Sequence, residues 1–152
     1  MLASLVCALF LALLPAASAS AAPPAAEGLR PGELNAVDMR AVRAVIEAQL
    51  KAIAADDAAG AYAQAAPAIQ QQFRDAATFA QMVQRSYPML IRPASVSFYR
   101  PIPGDGVVVQ SVLFRDRGGR AWRADYQLQR QPGGRWRISG CQVTPGDESS
   151  TT

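Results

Sequence analysis

The chain has 152 residues, about half of them apolar, a formal net charge of +3 and no histidine. A chain of this length is expected to form one compact domain whose core needs no structural metal or disulfide. Histidine is the side chain most often used for proton transfer near neutral pH and the commonest metal ligand, so its absence disfavours both kinds of site and predicts no cofactor.

Residues 1–21 are typical of a secretory signal peptide. An apolar run extends from Leu2 to Leu14, Pro15 follows it, and small residues offer cleavage near Ala19 or Ala21. No Lys or Arg precedes the run, which departs from the usual pattern and leaves an uncleaved anchor as the alternative. The run is shorter than the roughly 20 residues that a membrane-spanning helix needs. We therefore expect cleavage, a periplasmic or secreted protein, and membrane contact only through the signal peptide.

The rest of the chain is predicted to be one domain between two unstructured segments. Residues 22–34 are rich in Ala, Pro and Gly and predict a flexible linker, residues 35–144 form the domain, and residues 145–152 are a polar, disordered tail. Cleavage removes Cys7 and leaves Cys141 as an odd thiol. An odd thiol in an exported protein is either free or bridged to another molecule.

The first half of this domain shows helical periodicity. Between Val42 and Ile53 the apolar residues recur at i, i+3, i+4 and i+7, which predicts a helix with one buried face, capped by Asn35 or Asp38. A second, shorter helix is predicted in "AAGAYAQAA", after the acidic pair at 56–57. Capping explains that pair better than metal or acid–base chemistry, because no histidine or third carboxylate accompanies it.

A helical turn and a third helix follow the second. The turn is predicted in "PAIQQQF", and Asp75 or Thr78 then caps a helix that carries Phe79, Met82 and Val83 on one face. Pro88 ends it.

After residue 93 the periodicity changes to two, which predicts four strands: "ASVSFYRP", "GVVVQSVLFRD", "RAWRADYQLQR" and "RWRISGCQV". Glycine-rich turns separate them and make neighbouring strands antiparallel. The register at Gly118–Gly119 stays open. A two-residue loop places Val109, Ser111 and Leu113 on the tryptophan face of the sheet, whereas a three-residue loop places there the set Val108, Gln110, Val112 and Phe114.

Several short motifs resemble known proteins. The stretch "AADDAAGAYAQAAP", the segment "FAQMVQRSY" from Phe79 to Tyr87, Gln110, "GRAW" ending at Trp122, "YQL" from Tyr126 and "GRWRISGC" ending at Cys141 resemble a family of exported bacterial proteins, domain of unknown function 4864. That family is part of the cone-shaped superfamily named after nuclear transport factor two, which includes SnoaL-like and ketosteroid-isomerase-like proteins.

The resemblance implies an α+β fold in which three N-terminal helices pack on a curved four-stranded antiparallel meander of the cystatin-like cone type. It also implies a pocket at the wide end of the cone and the possibility of a homodimer. The residues expected to line that pocket and bind a ligand are Tyr62, Phe79, Met82, Tyr87, Gln110, Trp122, Tyr126 and Trp136. Helical or strand periodicity also explains these aromatics as core residues.

Three functions compete on these residues. The preferred one is a non-catalytic module that binds a small apolar ligand or a protein partner. The second is an isomerase- or dehydratase-like enzyme that uses a pocket tyrosine or Asp125, although alternation places Asp125 on the opposite face from Trp122 and Tyr126, close to Ser139 and Cys141. The third is a redox role for the Cys141 thiol, which requires a lowered pKa and exposure.

The last strand contains the feature that decides between these roles for Cys141. Alternation from Trp136 and Ile138 sends Cys141 to the arginine face of the sheet, unless Gly140 is a bulge that returns it to the core. The arginines of the sheet, together with the tryptophans, resemble a nucleic-acid platform, but most of them occupy turns or the face opposite the tryptophans, so no nucleic-acid partner is predicted.

Overall fold

A computed structural model describes residues 34–146 of the protein. The predicted signal peptide, nearly all of the predicted linker and most of the predicted tail lie outside the described residues. The described part contains four α-helices, one short 3-10 helix and five strands, in the order α1 (Ala36–Ala54), α2 (Ala58–Ala63), α3 (Pro67–Gln72), α4 (Ala76–Ser86), the 3-10 helix (Pro88–Leu90), β1 (Ser95–Phe98), β2 (Ile102–Pro103), β3 (Val108–Arg115), β4 (Ala121–Arg130) and β5 (Trp136–Pro145). The predicted α+β class with helices before an antiparallel meander is confirmed.

Side-chain caps set the beginnings of three helices. The carboxamide of Asn35 accepts from the backbone N–H of Asp38 at 2.8 Å, and the carboxylate of Asp57 accepts from Gly60 at 2.9 Å. Asp75 caps α4 in the same way through Thr78. These contacts satisfy backbone donors that the first turn of a helix leaves without partners. Asp56, the other member of the acidic pair, is instead paired with Arg92 at the surface.

The stretch predicted as a helical turn forms a helix of its own, so the domain has four α-helices where three were expected. Pro67 stands in the first turn of α3, where its missing N–H removes no intrahelical bond. The side chain of Gln70 holds α3 against α2, since its Nε2 donates to the carbonyl oxygens of Tyr62 at 3.0 Å and Ala65 at 3.2 Å.

The sheet has the strand order β1-β3-β4-β5, and the two-residue strand β2 also pairs with β3. The predicted first strand therefore ends at Phe98 and resumes as β2, in the region where Pro101 and Pro103 remove backbone donors. All these pairings are antiparallel.

Three-residue loops set the register of both long hairpins. Asp116 N–H donates to the Arg120 carbonyl, and Gln131 N–H donates to the Arg135 carbonyl, each across three intervening residues. Gln110 consequently lies opposite Tyr126 and Phe114 opposite Trp122, which is the alternative with Gln110 on the tryptophan face.

A β-bulge divides β5. Leu128 pairs with Ile138, but Gln127 pairs with Gly140, so Ser139 has no partner on β4. Because one extra residue reverses the alternation of side chains, the bulge returns Cys141 to the same face as Ile138, and Cys141 lies opposite Tyr126. Of the two alternatives that the sequence left open at Gly140, the bulge is the one that forms.

Two clusters of buried side chains make up the core. The larger one packs α1 against the sheet around Val42, Ile46, Phe114, Tyr126 and Trp136. The smaller one joins the end of α1 to α2 and α4 through residues that include Phe79 and Val83. None of the helices between residues 34 and 146 has both the length and the apolar composition that crossing a membrane requires.

Candidate functional site

A cavity of about 160 Å³ lies where the two core clusters meet. Its wall contains Tyr126 and Ile138 from the larger cluster and Phe79 and Val83 from the smaller one. The α4 helix and the end of α1 thus do not fill the space above β4 and β5. The cavity extends to the surface, because Gln72 on its rim is exposed and several of its lining residues are half-buried.

Apolar side chains form most of the wall: Ile53, Ala65, Ile69, Phe73, Phe79, Met82, Val83, Tyr87, Leu90 and Ile138. No charged side chain lies among the lining residues of the described chain. The side chains that carry a polar atom are those of Gln49, Gln72, Tyr126 and Cys141, together with the hydroxyl of Tyr87. Gln49 is buried, and its amide donates one N–H to the Ala61 carbonyl at 3.3 Å.

Tyr126 is the most deeply buried of these polar residues, with 1% of its surface exposed. Its hydroxyl oxygen has no hydrogen-bond partner in the described part of the protein. Burial, followed by the proximity of Cys141, raises the pKa of Tyr126 well above its ordinary value. The phenol therefore stays protonated at all ordinary pH values.

Cys141 lines the cavity beside Tyr126 and forms no disulfide. Burial raises the pKa of its thiol to about 12, with the Asp125 carboxylate acting in the same direction and Tyr126 opposing it. A reactive cysteine needs a thiolate near neutral pH, and this thiol remains protonated. The geometry therefore gives no support to the redox hypothesis.

The structure brings four of the eight predicted pocket residues to this cavity: Phe79, Met82, Tyr87 and Tyr126. Phe79 stands at the centre of an aromatic group, with ring centroids 5.7 Å from Tyr62 and 5.4 Å from Phe73. These contacts are in the range of favourable edge and tilted aromatic pairs. They fix the position of the Phe79 ring on one side of the cavity.

The other four predicted residues lie elsewhere. Tyr62 points its hydroxyl to the carbonyl oxygens of Gln70 at 2.6 Å and Phe73 at 3.2 Å, so it joins α2 to α3 behind the cavity wall. Gln110 is buried and donates to the Tyr99 carbonyl at 2.6 Å. Its partner is therefore the backbone between β1 and β2. The sequence analysis left a ligand, a water or Tyr62 as the expected partner, and the structure shows a different one.

The two tryptophans are held by carboxylates outside the cavity. Trp122 Nε1 donates to Asp116 at 3.0 Å, and this bond is the main reason why the pKa of Asp116 is lowered. Trp136 Nε1 donates at 3.3 Å to Asp38, which is buried near the beginning of α1 and also pairs with Arg130. Trp136 thus joins α1 to β5 as a core residue.

Asp125, the carboxylate of the enzymatic hypothesis, lies on the outer face of the sheet. Its Oδ1 accepts from Ser111 Oγ at 2.5 Å and from Arg123 Nε at 3.0 Å. On the neighbouring strand β5 it lies opposite Gln142. The expected neighbours were Ser139 and Cys141, but the bulge shifts the register by one residue. Asp125 is a paired surface residue and takes no part in the cavity.

Two further depressions are less suitable. A crevice of about 30 Å³ beside Asp56 and Asp57 is too small for an organic ligand, since one water needs about 10–15 Å³ on the same measure. An open groove between α3 and the β4–β5 loop is lined by Gln70, Gln131 and Arg135 among others. No group of three or more Cys, Asp or Glu side chains within residues 34–146 is arranged to hold a metal ion.

The sequence missed part of the cavity wall. Ile69 and Phe73 were expected to point inward from the predicted turn and Ile138 to face the core, but none of the three, nor Ala65, was expected on the pocket wall. Ala65 faces Ile138 because the chain between α2 and α3 runs beside the first half of β5. Two backbone hydrogen bonds hold the segments together: Ile138 N–H donates to the Gln64 carbonyl at 2.9 Å, and Ala66 N–H donates to the Ile138 carbonyl at 2.7 Å. No local motif signals this long-range pairing.

Comparison with known proteins agrees with the motifs. A comparison with curated proteins finds no match. A solved structure described as an NTF-2 like protein of unknown function from Burkholderia xenovorans LB400 shares 11% identity, with 74% of this chain and 88% of that chain covered and a TM-score of 0.46. A family model described as "Domain of unknown function (DUF4864)" matches residues 35–151. Because that match spans most of the chain, the protein belongs to this family of unknown function, as its motifs predicted.

Proposed function

We propose that this domain is an exported, non-catalytic binding protein that takes one small apolar molecule into the cavity between α4 and the sheet. The observation that carries the proposal is the cavity itself, which has a volume of about 160 Å³ and a mainly apolar wall. An enclosed apolar cavity of about 150 Å³ is known to bind benzene, so a cavity of this volume has room for a molecule of that size. Export rests on the signal-like residues 1–21, and the cavity proposal does not depend on it.

The chemistry of the wall supports binding without catalysis. General acid–base catalysis requires a titrating group near the reacting atom, with a pKa close to the working pH. The titratable side chains on the wall are Tyr87, Tyr126 and Cys141, and burial raises the pKa of the last two. Neither gains the anionic form that a base or nucleophile needs at neutral pH.

The experiment is an NMR titration of the domain with benzene. We expect saturable shifts of the methyl signals of cavity residues such as Ile69, Met82 and Ile138. Ile69→Trp, which places a larger side chain in the half-buried wall, should abolish these shifts. Val37→Trp is the matched control, because Val37 is 64% exposed on α1 and does not line the cavity. Shifts that never saturate, or that persist in Ile69→Trp, count against the proposal.

Binding of a protein partner is the second candidate, and an exposed apolar surface favours it. Ile102, with 62% of its surface exposed, and Tyr99, with 48%, lie at the β1–β2 edge. Ile102 pairs with Val109, and Tyr99 N–H donates to the Ser111 carbonyl, so both side chains are on the outer face of the sheet. Sedimentation equilibrium tests self-association here: a dimer that Ile102→Asp dissociates supports it, and a monomer at all concentrations excludes the homodimer.

A further inference from the structure

We propose that the open groove between α3 and the β4–β5 loop binds a phosphate group through the guanidinium groups of Arg135 and Arg137. The phosphate is free inorganic phosphate or the terminal group of a phosphate monoester. This inference goes beyond the proposed function, because it assigns a second site, for a charged ligand, outside the apolar cavity.

The groove is built from two segments that are bonded to each other. One wall belongs to residues 63–70, and the other is the β4–β5 loop together with the start of β5. Ala66 N–H donates to the Ile138 carbonyl at 2.7 Å, and Ile138 N–H donates to the Gln64 carbonyl at 2.9 Å, so the two walls are joined through their backbones. The space between them measures about 480 Å³, which is enough for a small polar molecule.

Two arginine side chains without partners line this groove. Arg135 and Arg137 form no ion pair and no side-chain hydrogen bond with any other residue from 34 to 146. Arg123 and Arg130 of the neighbouring strand β4, by contrast, are each paired with an aspartate. The guanidinium groups of Arg135 and Arg137 therefore keep their N–H donors for a ligand.

The charge of the groove selects the class of ligand. Its lining residues include these two arginines and no Asp or Glu. A phosphate monoester carries a charge of about −1.5 to −2 at pH 7, so two guanidinium groups neutralise it, whereas a single carboxylate leaves one of them without a countercharge. A guanidinium group also donates two parallel N–H groups to a pair of phosphate oxygens, which adds geometric specificity.

Arg135 and Arg137 are placed to reach the same phosphate. They flank Trp136 where the chain enters β5, and the Trp136 side chain is buried in the core. Alternation along an extended chain therefore sends both arginine side chains to the opposite side, where both line the groove. Residues two apart in such a chain have Cα atoms about 6.5 Å apart, a distance that two arginine side chains can span.

The experiment is an NMR titration of the protein with inorganic phosphate and with glycerol 3-phosphate, at an ionic strength of about 0.1 M. In wild type the Nε–Hε signals of Arg135 and Arg137 should shift and saturate. Arg135→Gln/Arg137→Gln should weaken binding about tenfold or more, because two charged donors are lost. Arg135→Gln alone changes an exposed residue outside the strand and should weaken binding about threefold, since one charged donor remains.

The matched control is Arg85→Gln/Arg117→Gln, which removes the same charge from two exposed arginines outside the groove. Neither of them forms an ion pair within the described chain. The control should change the affinity less than about twofold, because salt screens exposed charges that do not touch the ligand. An equal loss in both double variants shows attraction by net charge alone and overturns the proposal, as do shifts in wild type that never saturate.

Two further probes identify the source of the phosphate and test the choice of phosphate. Cosedimentation with phosphatidylcholine vesicles that contain phosphatidic acid, lost in Arg135→Gln/Arg137→Gln and kept in the control, assigns the groove to a lipid headgroup. Binding of glycerol 3-phosphate or inorganic phosphate without vesicle binding assigns it to a soluble phosphate. Succinate binding as tight as phosphate binding overturns the choice of phosphate over carboxylates. Because neither arginine lines the apolar cavity, failure of phosphate binding leaves the benzene result untouched, and the two proposals are tested separately.

Discussion

Tyr126 on β4 and Cys141 on β5 lie directly opposite each other on the core face of the sheet, although simple alternation from Ile138 would put Cys141 on the outer face. The unpaired residue Ser139 is what brings them together. One inserted residue thus converts a thiol that would stand beside charged groups on the outer face into a protonated wall residue of the cavity. The bulge determines the chemistry of the site as well as the shape of the strand.

Removing the bulge residue tests this relationship. Deletion of Ser139 leaves both the Leu128–Ile138 pair and the Tyr126–Cys141 pair in register, because Gly140 then follows Ile138 directly in a regular strand. We expect a folded protein in which Cys141 is still protected from thiol reagents. Urea denaturation and thiol labelling measure the two effects.

The matched control is deletion of Arg137 in the same strand. It makes Trp136 and Ile138 neighbours, so one of them must leave the core, at a cost of about 3–5 kcal/mol for the tryptophan. If the Ser139 deletion destabilises as much as the Arg137 deletion, the bulge carries a structural role that the register argument does not include.

The thiol of Cys141 is expected to react slowly in the native protein. Its pKa rises from an ordinary value of 9.0 to about 12, so the thiolate fraction at pH 8 falls on the order of 10³-fold relative to the unfolded chain. The rates of labelling by iodoacetamide in buffer and in about 8 M urea, which unfolds small domains, give the ratio of native to unfolded reactivity. Equal rates in the two conditions would show that the thiol is exposed and would reopen a redox role.

The same shift predicts how stability depends on pH. The folded state holds the Cys141 proton more tightly than the unfolded state, so this group's contribution is complete below pH 9 and is lost as the pH rises towards about 12. The stability difference between wild type and Cys141→Ala should therefore stay constant up to about pH 9 and then change by at most about 1.4 kcal/mol per pH unit. A difference that stays constant up to pH 11 contradicts the assignment.

Much of the sheet could be predicted from the sequence because its signals are local. Alternation placed Trp122, Ala124, Tyr126 and Leu128 on one face, and the glycines at 118–119 and 133–134 limited each hairpin to a few loop lengths. Loop length alone then separated the two registers at β3. The bulge in β5 could not be decided from the sequence, because the same residues around Gly140 are compatible with a regular strand and with a bulged one. Packing of Cys141 against Tyr126 selects the bulged strand.

The cavity could be predicted only in part because its wall comes from segments far apart in the chain. Phe79, Met82 and Val83 carry a helical signal that marks a buried face, and that face borders the cavity. Trp122 and Trp136 are aromatic too, but their indole N–H groups bond to carboxylates outside the cavity. Trp122 bonds to Asp116, which is close in the chain, and Trp136 bonds to Asp38, which is far from it. The periodicity of the sequence predicts neither partner. The sequence therefore predicted which aromatic side chains are buried, but it did not distinguish those that line the cavity from those that are packed in the core.

Asp38 is expected to contribute substantially to stability through its two contacts. Its side chain is 8% exposed, pairs with Arg130 and accepts from Trp136 Nε1 at 3.3 Å. Because Arg130 is 37% exposed, the loss of the ion pair is partly screened, and we expect Asp38→Ala to cost about 1–3 kcal/mol. Glu47→Ala is the control, since the exposed Arg43–Glu47 pair on the same helix should cost less than about 0.5 kcal/mol. Urea denaturation of the three proteins decides, and equal costs would contradict a structural role for Asp38.

Two Tyr→Phe substitutions separate a bonded hydroxyl from an unpartnered one. Tyr62→Phe removes hydrogen bonds to the Gln70 and Phe73 carbonyls and should cost about 0.5–1.5 kcal/mol. Tyr126→Phe removes a buried hydroxyl that has no partner in the described residues, so the ligand-free protein should keep its stability or gain up to about 1 kcal/mol. Both values follow from urea denaturation of protein refolded without ligand. If Tyr126→Phe costs as much as Tyr62→Phe, the Tyr126 hydroxyl has a hydrogen-bond partner in the folded protein, and the expectation for an unpartnered hydroxyl is wrong.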